Sequence, residues 1–166
     1  MQMGMVPNLR NPYQQIAGSL NYAAQLRPEP MFSVSQLSRV MTCPTQENLS
    51  LARQVIKYII GSLDLKITYR PDDPNDPLCE TNLMMFTVSD WATSVDTRCS
   101  RGCYVIVFAG AAIAHRSKSC KSAMLSSAAA DYYEASEGCR KLSYIHGILK
   151  DFYGSKCPSS PTYIDN

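Results

Sequence analysis

The chain has 166 residues, 45% hydrophobic and 18% charged, which is enough for one core, or one core with a partial subdomain. A net charge of +2 with scattered basic residues does not mark a dedicated nucleic-acid binder; the densest basic run, Arg116 to Lys121, reads as a solvated loop. No apolar run approaches the roughly 18 residues of a membrane helix, and Met1 to Met5 lacks the apolar stretch of a secretory leader. The expectation is a chain of the cytoplasm or nucleus.

Seven cysteines form an odd set without paired-thiol spacing, and His115 and His146 lie far from any such pair, so free thiols are expected rather than a zinc site.

The first element is a helix with Ile16, Leu20, Ala23 and Ala24 at helical intervals, broken by Arg27-Pro28-Glu29-Pro30. A second helix is predicted over Met31 to Met41, burying Phe32, Leu37, Val40 and Met41. A third opens at Pro44-Thr45, where Thr45 suits an N-cap and Glu47 the positive end of the dipole. Its apolar stripe is Leu49, Ala52, Ile56, Ile59 and Ile60, and Gly61 marks its end. Alternation from Asp64 to Tyr69 predicts a strand. Arg70 to Pro77, rich in proline and aspartate, reads as a linker and a domain boundary.

Beyond the linker, Leu83 to Ser89, Gly102 to Ala109 and Ala111 to Arg116 read as an antiparallel meander. A long helix follows from Asp131 to Tyr153, closed by Gly154. Thr162-Tyr163-Ile164 would then return as a fourth strand parallel to the first, after the helical crossover. The fold class is α+β, with the mixed sheet that opens a ribonuclease H-like fold.

Three phrases carry the chemistry: Phe86-Thr87-Val88-Ser89-Asp90-Trp91-Ala92, then Leu125-Ser126-Ser127-Ala128-Ala129-Ala130-Asp131-Tyr132-Tyr133, then Ile164-Asp165-Asn166. Others precede and separate them: Gly18-Ser19-Leu20 with Tyr22, Leu37-Ser38-Arg39-Val40-Met41 before Pro44-Thr45, Val55-Ile56-Lys57-Tyr58-Ile59 before Gly61, Asp96-Thr97-Arg98, and Arg116-Ser117-Lys118. Together they resemble the C-terminal part of the Pol polyprotein of copia-type LTR retrotransposons. The resemblance implies a helical tail of the reverse transcriptase region over 1–70, a linker over 71–82, and a ribonuclease H-like domain over 83–166, incomplete at its C-terminus. The paired aspartates of a polymerase palm have no counterpart, so polymerisation by this chain alone is not expected.

By resemblance, the ancestral reaction is cleavage of the RNA strand of an RNA–DNA hybrid by two Mg²⁺ (or Mn²⁺) ions held by carboxylates. Such ions demand oxygen ligands in strict geometry. The family places an aspartate on the first strand, where this chain has Val88. The glutamate at the start of the following helix is shortened to Asp131, Asp165 is in place, and a fourth acidic residue has no counterpart. Asp90 shares a strand face with Val88 but lies about 6.6 Å farther along. The family's capping box before the helix would pair Ser126 with an acid at position 129, and Ala129 cannot return that bond. Three readings stay open: an inactive ribonuclease H-like relic, a residually active hybrid nuclease using Asp90, Asp131 and Asp165 as metal ligands, and a non-enzymatic module that binds a protein partner. That partner would meet an open sheet edge or an apolar patch around Met84-Met85.

Overall fold

Short-range sequence signals account for most element boundaries in the computed structural model, which describes residues 9–70, 83–92, 98–120, 124–154 and 159–165. The chain divides into two units, Met1–Lys66 and Ile67–Asn166. The expected linker over 71–82 lies outside the described residues. No helix among the described residues is long and apolar enough to cross a membrane.

The first unit is three helices: α1 (Arg10–Leu26), α2 (Met31–Arg39) and α3 (Gln46–Gly61). Tyr13, Ala17, Leu20 and Ala24 recur on one face of α1 and meet Val34 and Leu37 of α2 and Leu49 and Ala52 of α3. The Tyr13 hydroxyl donates to the Leu37 carbonyl at 2.8 Å, so its polar end is satisfied inside the core. Two expected core residues are corrected. Phe32 is 54% exposed because Val34 and Leu37 form the inward face of α2. Ile60 is 62% exposed because the buried stripe of α3 runs through Leu49, Ala52, Ile56 and Ile59, about 100° away. α2 also stops at Arg39, two residues short of the expected Met41.

Thr45 caps α3 reciprocally. Its Oγ1 accepts from the Asn48 backbone N–H at 3.2 Å, and Asn48 Oδ1 accepts from the Thr45 N–H at 2.9 Å.

The strand expected from Asp64 to Tyr69 does not form. Among the described residues, alternation there has no neighbouring strand to pair with, and a strand without a ladder leaves its backbone groups to water or to other partners. Instead the Arg70 N–H donates to the Ala109 carbonyl at 3.0 Å, and the Tyr69 hydroxyl donates to the Ala112 carbonyl at 3.2 Å.

The second unit holds β1 (Met84–Asp90), β2 (Arg101–Phe108), β3 (Ala111–Ser119), α4 (Ser127–Tyr153) and β4 (Thr162–Ile164). The sheet order is β3-β2-β1-β4, antiparallel across the first three strands and parallel between β1 and β4. This is the predicted α+β arrangement. Ala109 and Gly110 turn the β2–β3 hairpin with φ of 52° and 75°, the left-handed pair that matches strand twist. The ladder shifts register at Ile106/Val107, leaving Ile113 as the extra residue of a bulge. β3 continues to Ser119, so much of the basic run is strand rather than loop.

α4 begins four residues before the predicted Asp131. Ser126 is its N-cap, accepting from the Ala129 N–H at 3.1 Å, and the three alanines that follow Ser127 favour helix. Half of the capping bond pair therefore survives without an acid at 129. One face of the sheet lies under α4: Leu83, Met85, Tyr104 and Ile106 pack with Leu142, Cys139, Ile145 and Leu149. Met85 is fully buried there, which corrects the expected exposed patch at Met84-Met85.

Candidate active site

Strand alternation sorts the candidate residues onto two faces. Met85 and Thr87 are buried beneath α4, and Ser89 continues that side, donating from Oγ to Asp131 Oδ1 at 2.6 Å. Val88 and Asp90 therefore point to the opposite face. β4 brings Asp165 to that same face: the Asp165 N–H donates to the Thr87 carbonyl at 3.1 Å, which extends the parallel pairing one residue beyond Ile164.

Val88 is 39% exposed and lines an open groove of about 440 Å³ with Phe86, Cys103, Val105, Tyr163 and Asp165. The Phe86 and Tyr163 rings stack across β1 and β4, with centroids 5.1 Å apart and planes 15° from parallel. The groove is thus apolar along its length, with one carboxylate at its end. Asp90 ends β1, exposed, directly across from Arg101 in the antiparallel register. Trp91 is a strand-end aromatic whose Nε1 donates to the Met124 carbonyl at 3.0 Å, tying the end of β1 to the segment before α4.

Asp131 stands one turn inside α4, not at its start, because α4 begins at Ser127. The structure thus places Asp165 beside Val88, and Asp131 beside Ser89. Among the described residues, no group of three or more His, Cys, Asp or Glu side chains is placed to hold a metal ion. Asp90 and Asp165 lie on the face of the sheet away from α4, and Asp131 lies on the α4 side.

One ionisable residue escapes the sequence pattern altogether. Glu134, one turn past Asp131, is 1% exposed, and its Oε1 has no hydrogen-bond partner among the described residues. Burial pushes its carboxyl above the ordinary range, and the Arg116 charge pulls partly against that. Its carboxylate fills the space over Gly102: a β-carbon there would lie 2.4 Å from Glu134 Cδ and Oε2. The Cys103 and Cys120 thiols are also pushed up, first by burial and then by Glu134, which disfavours their thiolates. A Glu within a helical heptad reads as a surface residue unless the partner strand is known, so no signal in the sequence singles it out.

No family model and no solved structure matches the chain. Among curated proteins it is 27% identical over 155 residues to the retrovirus-related Pol polyprotein from transposon RE1 of Arabidopsis thaliana, covering 93% of this chain and 10% of that protein. Similarity to the Pol polyprotein from transposon TNT 1-94 of Nicotiana tabacum is 28% over 141 residues, covering 84% of this chain and 10% of that protein. A putative transposon Ty5-1 protein of Saccharomyces cerevisiae is 31% identical over 135 residues, covering 79% of this chain and 42% of the yeast protein. The chain spans about a tenth of the length of the plant polyproteins it matches. With similarity extending over most of its residues, the chain is related to a segment of the Pol polyproteins of copia-type retrotransposons.

Proposed function

We propose that this segment is a ribonuclease H-like region whose ancestral substrate was an RNA–DNA hybrid and which no longer cleaves it. The meander, crossover helix and parallel fourth strand support the fold half of that reading. The observation that carries the other half is Val88. It occupies the strand position beside Asp165, in a groove otherwise built of Phe86, Val105 and Tyr163, where the family chemistry calls for a carboxylate. A valine offers no lone pair to a cation, and Asp131 on the other face is engaged by Ser89.

The test is cleavage of a labelled RNA–DNA hybrid by the purified chain with Mg²⁺ and with Mn²⁺, alongside Val88→Asp and Asp165→Asn. The expected result is no hybrid-specific cleavage by the folded native chain. Cleavage that disappears in Asp165→Asn would sink the proposal and point to Asp90 as a substitute ligand. Cleavage gained only in Val88→Asp would locate the defect in that one side chain.

A second reading has its own observation. Phe86, Val88 and Tyr163 are exposed together beside β4, a three-residue edge strand, and that combination suits a protein partner. A non-enzymatic interaction module is accordingly the alternative reading.

A further inference from the structure

Two of the three cations in the densest basic run of the sequence, Arg116 and Lys118, stand on β3. Alternation turns Arg116 and Lys118 to the same side of the strand, the side that faces α4. On α4, Tyr133, Glu137 and Arg140 recur at intervals of four and three, which is one helical stripe. The two sets meet: they line, with Ser119, a pocket of about 410 Å³ whose walls are mostly polar.

The pocket carries three cations and one carboxylate. Glu137 is shared, accepting from Arg116 Nη1 at 2.8 Å and pairing also with Arg140. One carboxylate thus holds two guanidinium forks in place without neutralising both. Arg116 is further steadied over the Tyr104 ring, 6.0 Å from its centroid. Lys118 is exposed and has no ion pair among the described residues. Ser119, the next residue of β3, accepts through Oγ from Arg101 Nη2 at 3.1 Å, which anchors that end of the strand. Tyr133 completes the lining on the α4 side.

An excess of positive charge and fork-shaped N–H donors form a receptor for a multiply coordinating oxyanion rather than for an apolar ligand. We propose that this pocket, between β3 and α4, binds a phosphate group of a nucleic-acid strand; the inference rests on the reading of the chain as a hybrid-binding domain. The pocket lies on the α4 side of the sheet, away from Val88. Loss of the carboxylate at position 88 therefore leaves it intact, and strand binding outlasts cleavage. Its role is to position the backbone without reading sequence.

The experiment is fluorescence anisotropy of a labelled RNA–DNA hybrid with the full chain across a salt series, comparing native protein with Lys118→Gln, Arg140→Gln and the double variant. Both side chains are exposed, so folding should survive, and circular dichroism checks it. Each single change is expected to weaken binding several-fold and to lower the slope of log K against log salt by about one. Inorganic phosphate, at matched ionic strength, should displace the hybrid from native protein more than from the double variant. Hybrid binding with the same affinity and slope in all four proteins would overturn the pocket while leaving the hybrid reading in place. Failure of folded native protein to bind hybrid would overturn the hybrid reading instead. In that case a thermal shift with inorganic phosphate, present in native and absent in the double variant, would keep the oxyanion site with free phosphate as its source; no shift in either would overturn it.

Discussion

At Glu134 and Gly102 a carboxyl and a bare α-carbon occupy one space, and each determines what the other costs. Glu134 is buried with one oxygen lacking a partner among the described residues, so ionising it in the folded state is opposed. Its folded-state pKa is raised above the ordinary value near 4.5. The stability linked to its proton is therefore fully present below that value and is lost as pH rises through the folded-state pKa. Glu134→Gln removes the charge but keeps the shape. Urea unfolding followed by Trp91 fluorescence should find the variant more stable than native at pH 8 and the two nearly equal near pH 4. A native chain that gained stability over the variant with rising pH would contradict the burial argument. Gly102→Ala should cost about 1–3 kcal/mol through overpacking against the same side chain. In a Glu134→Ala background most of that cost should vanish, a coupling that a double-mutant cycle measures directly. Neither residue is marked in the sequence: an acid in a helix and a glycine at a strand start are each unremarkable until the helix is laid on the strand.

Element boundaries follow local chemistry wherever that chemistry is self-sufficient. Thr45 and Asn48 cap α3 with only each other, and Thr45 is visible as a cap in the sequence. Thr45→Ala should cost about 1 kcal/mol, read as a lowered midpoint in thermal unfolding of the first unit by circular dichroism. In the β2–β3 hairpin, Ala109 is held at φ 52°, a conformation that a β-carbon disfavours. Ala109→Asn should gain about 0.5–1 kcal/mol because asparagine tolerates that region, provided the Arg70 N–H bond to the carbonyl at 109 is kept. Hydrogen exchange of the hairpin amides would register the gain as slower opening. Where an element needs a distant partner, local pattern misleads: Asp64 to Tyr69 alternates like a strand and has no ladder. α4 errs the other way, beginning at Ser127 because Ser126 and three alanines suffice to start it.

The two units have separate hydrophobic clusters, one centred on Tyr13, Val34 and Leu37 and one on Met85, Tyr104 and Ile106. The chain's one tryptophan, Trp91, belongs to the second unit, so its fluorescence reports that unit. Leu37→Ala should destabilise the first unit by about 2–5 kcal/mol and leave the Trp91 transition in place, whereas Ile106→Ala should move it. Coincident shifts in both variants would instead mean that the units unfold as one. Most of the fold was legible along the chain, because periodicity, caps and glycine punctuation are properties of neighbouring residues. So was the valine at position 88, since the identity of a side chain needs no structure to be read. What only the tertiary structure decided is which of those side chains meet. Ser89 and Asp131 are 42 residues apart in sequence and 2.6 Å apart in space, while Val88, one residue from Ser89, faces the other way. Arg116 and Lys118 became one wall of a pocket only when β3 placed them opposite Glu137 and Arg140. Such meetings depend on strand register and on where a helix lies across a sheet, and both arise from packing between segments far apart in the chain.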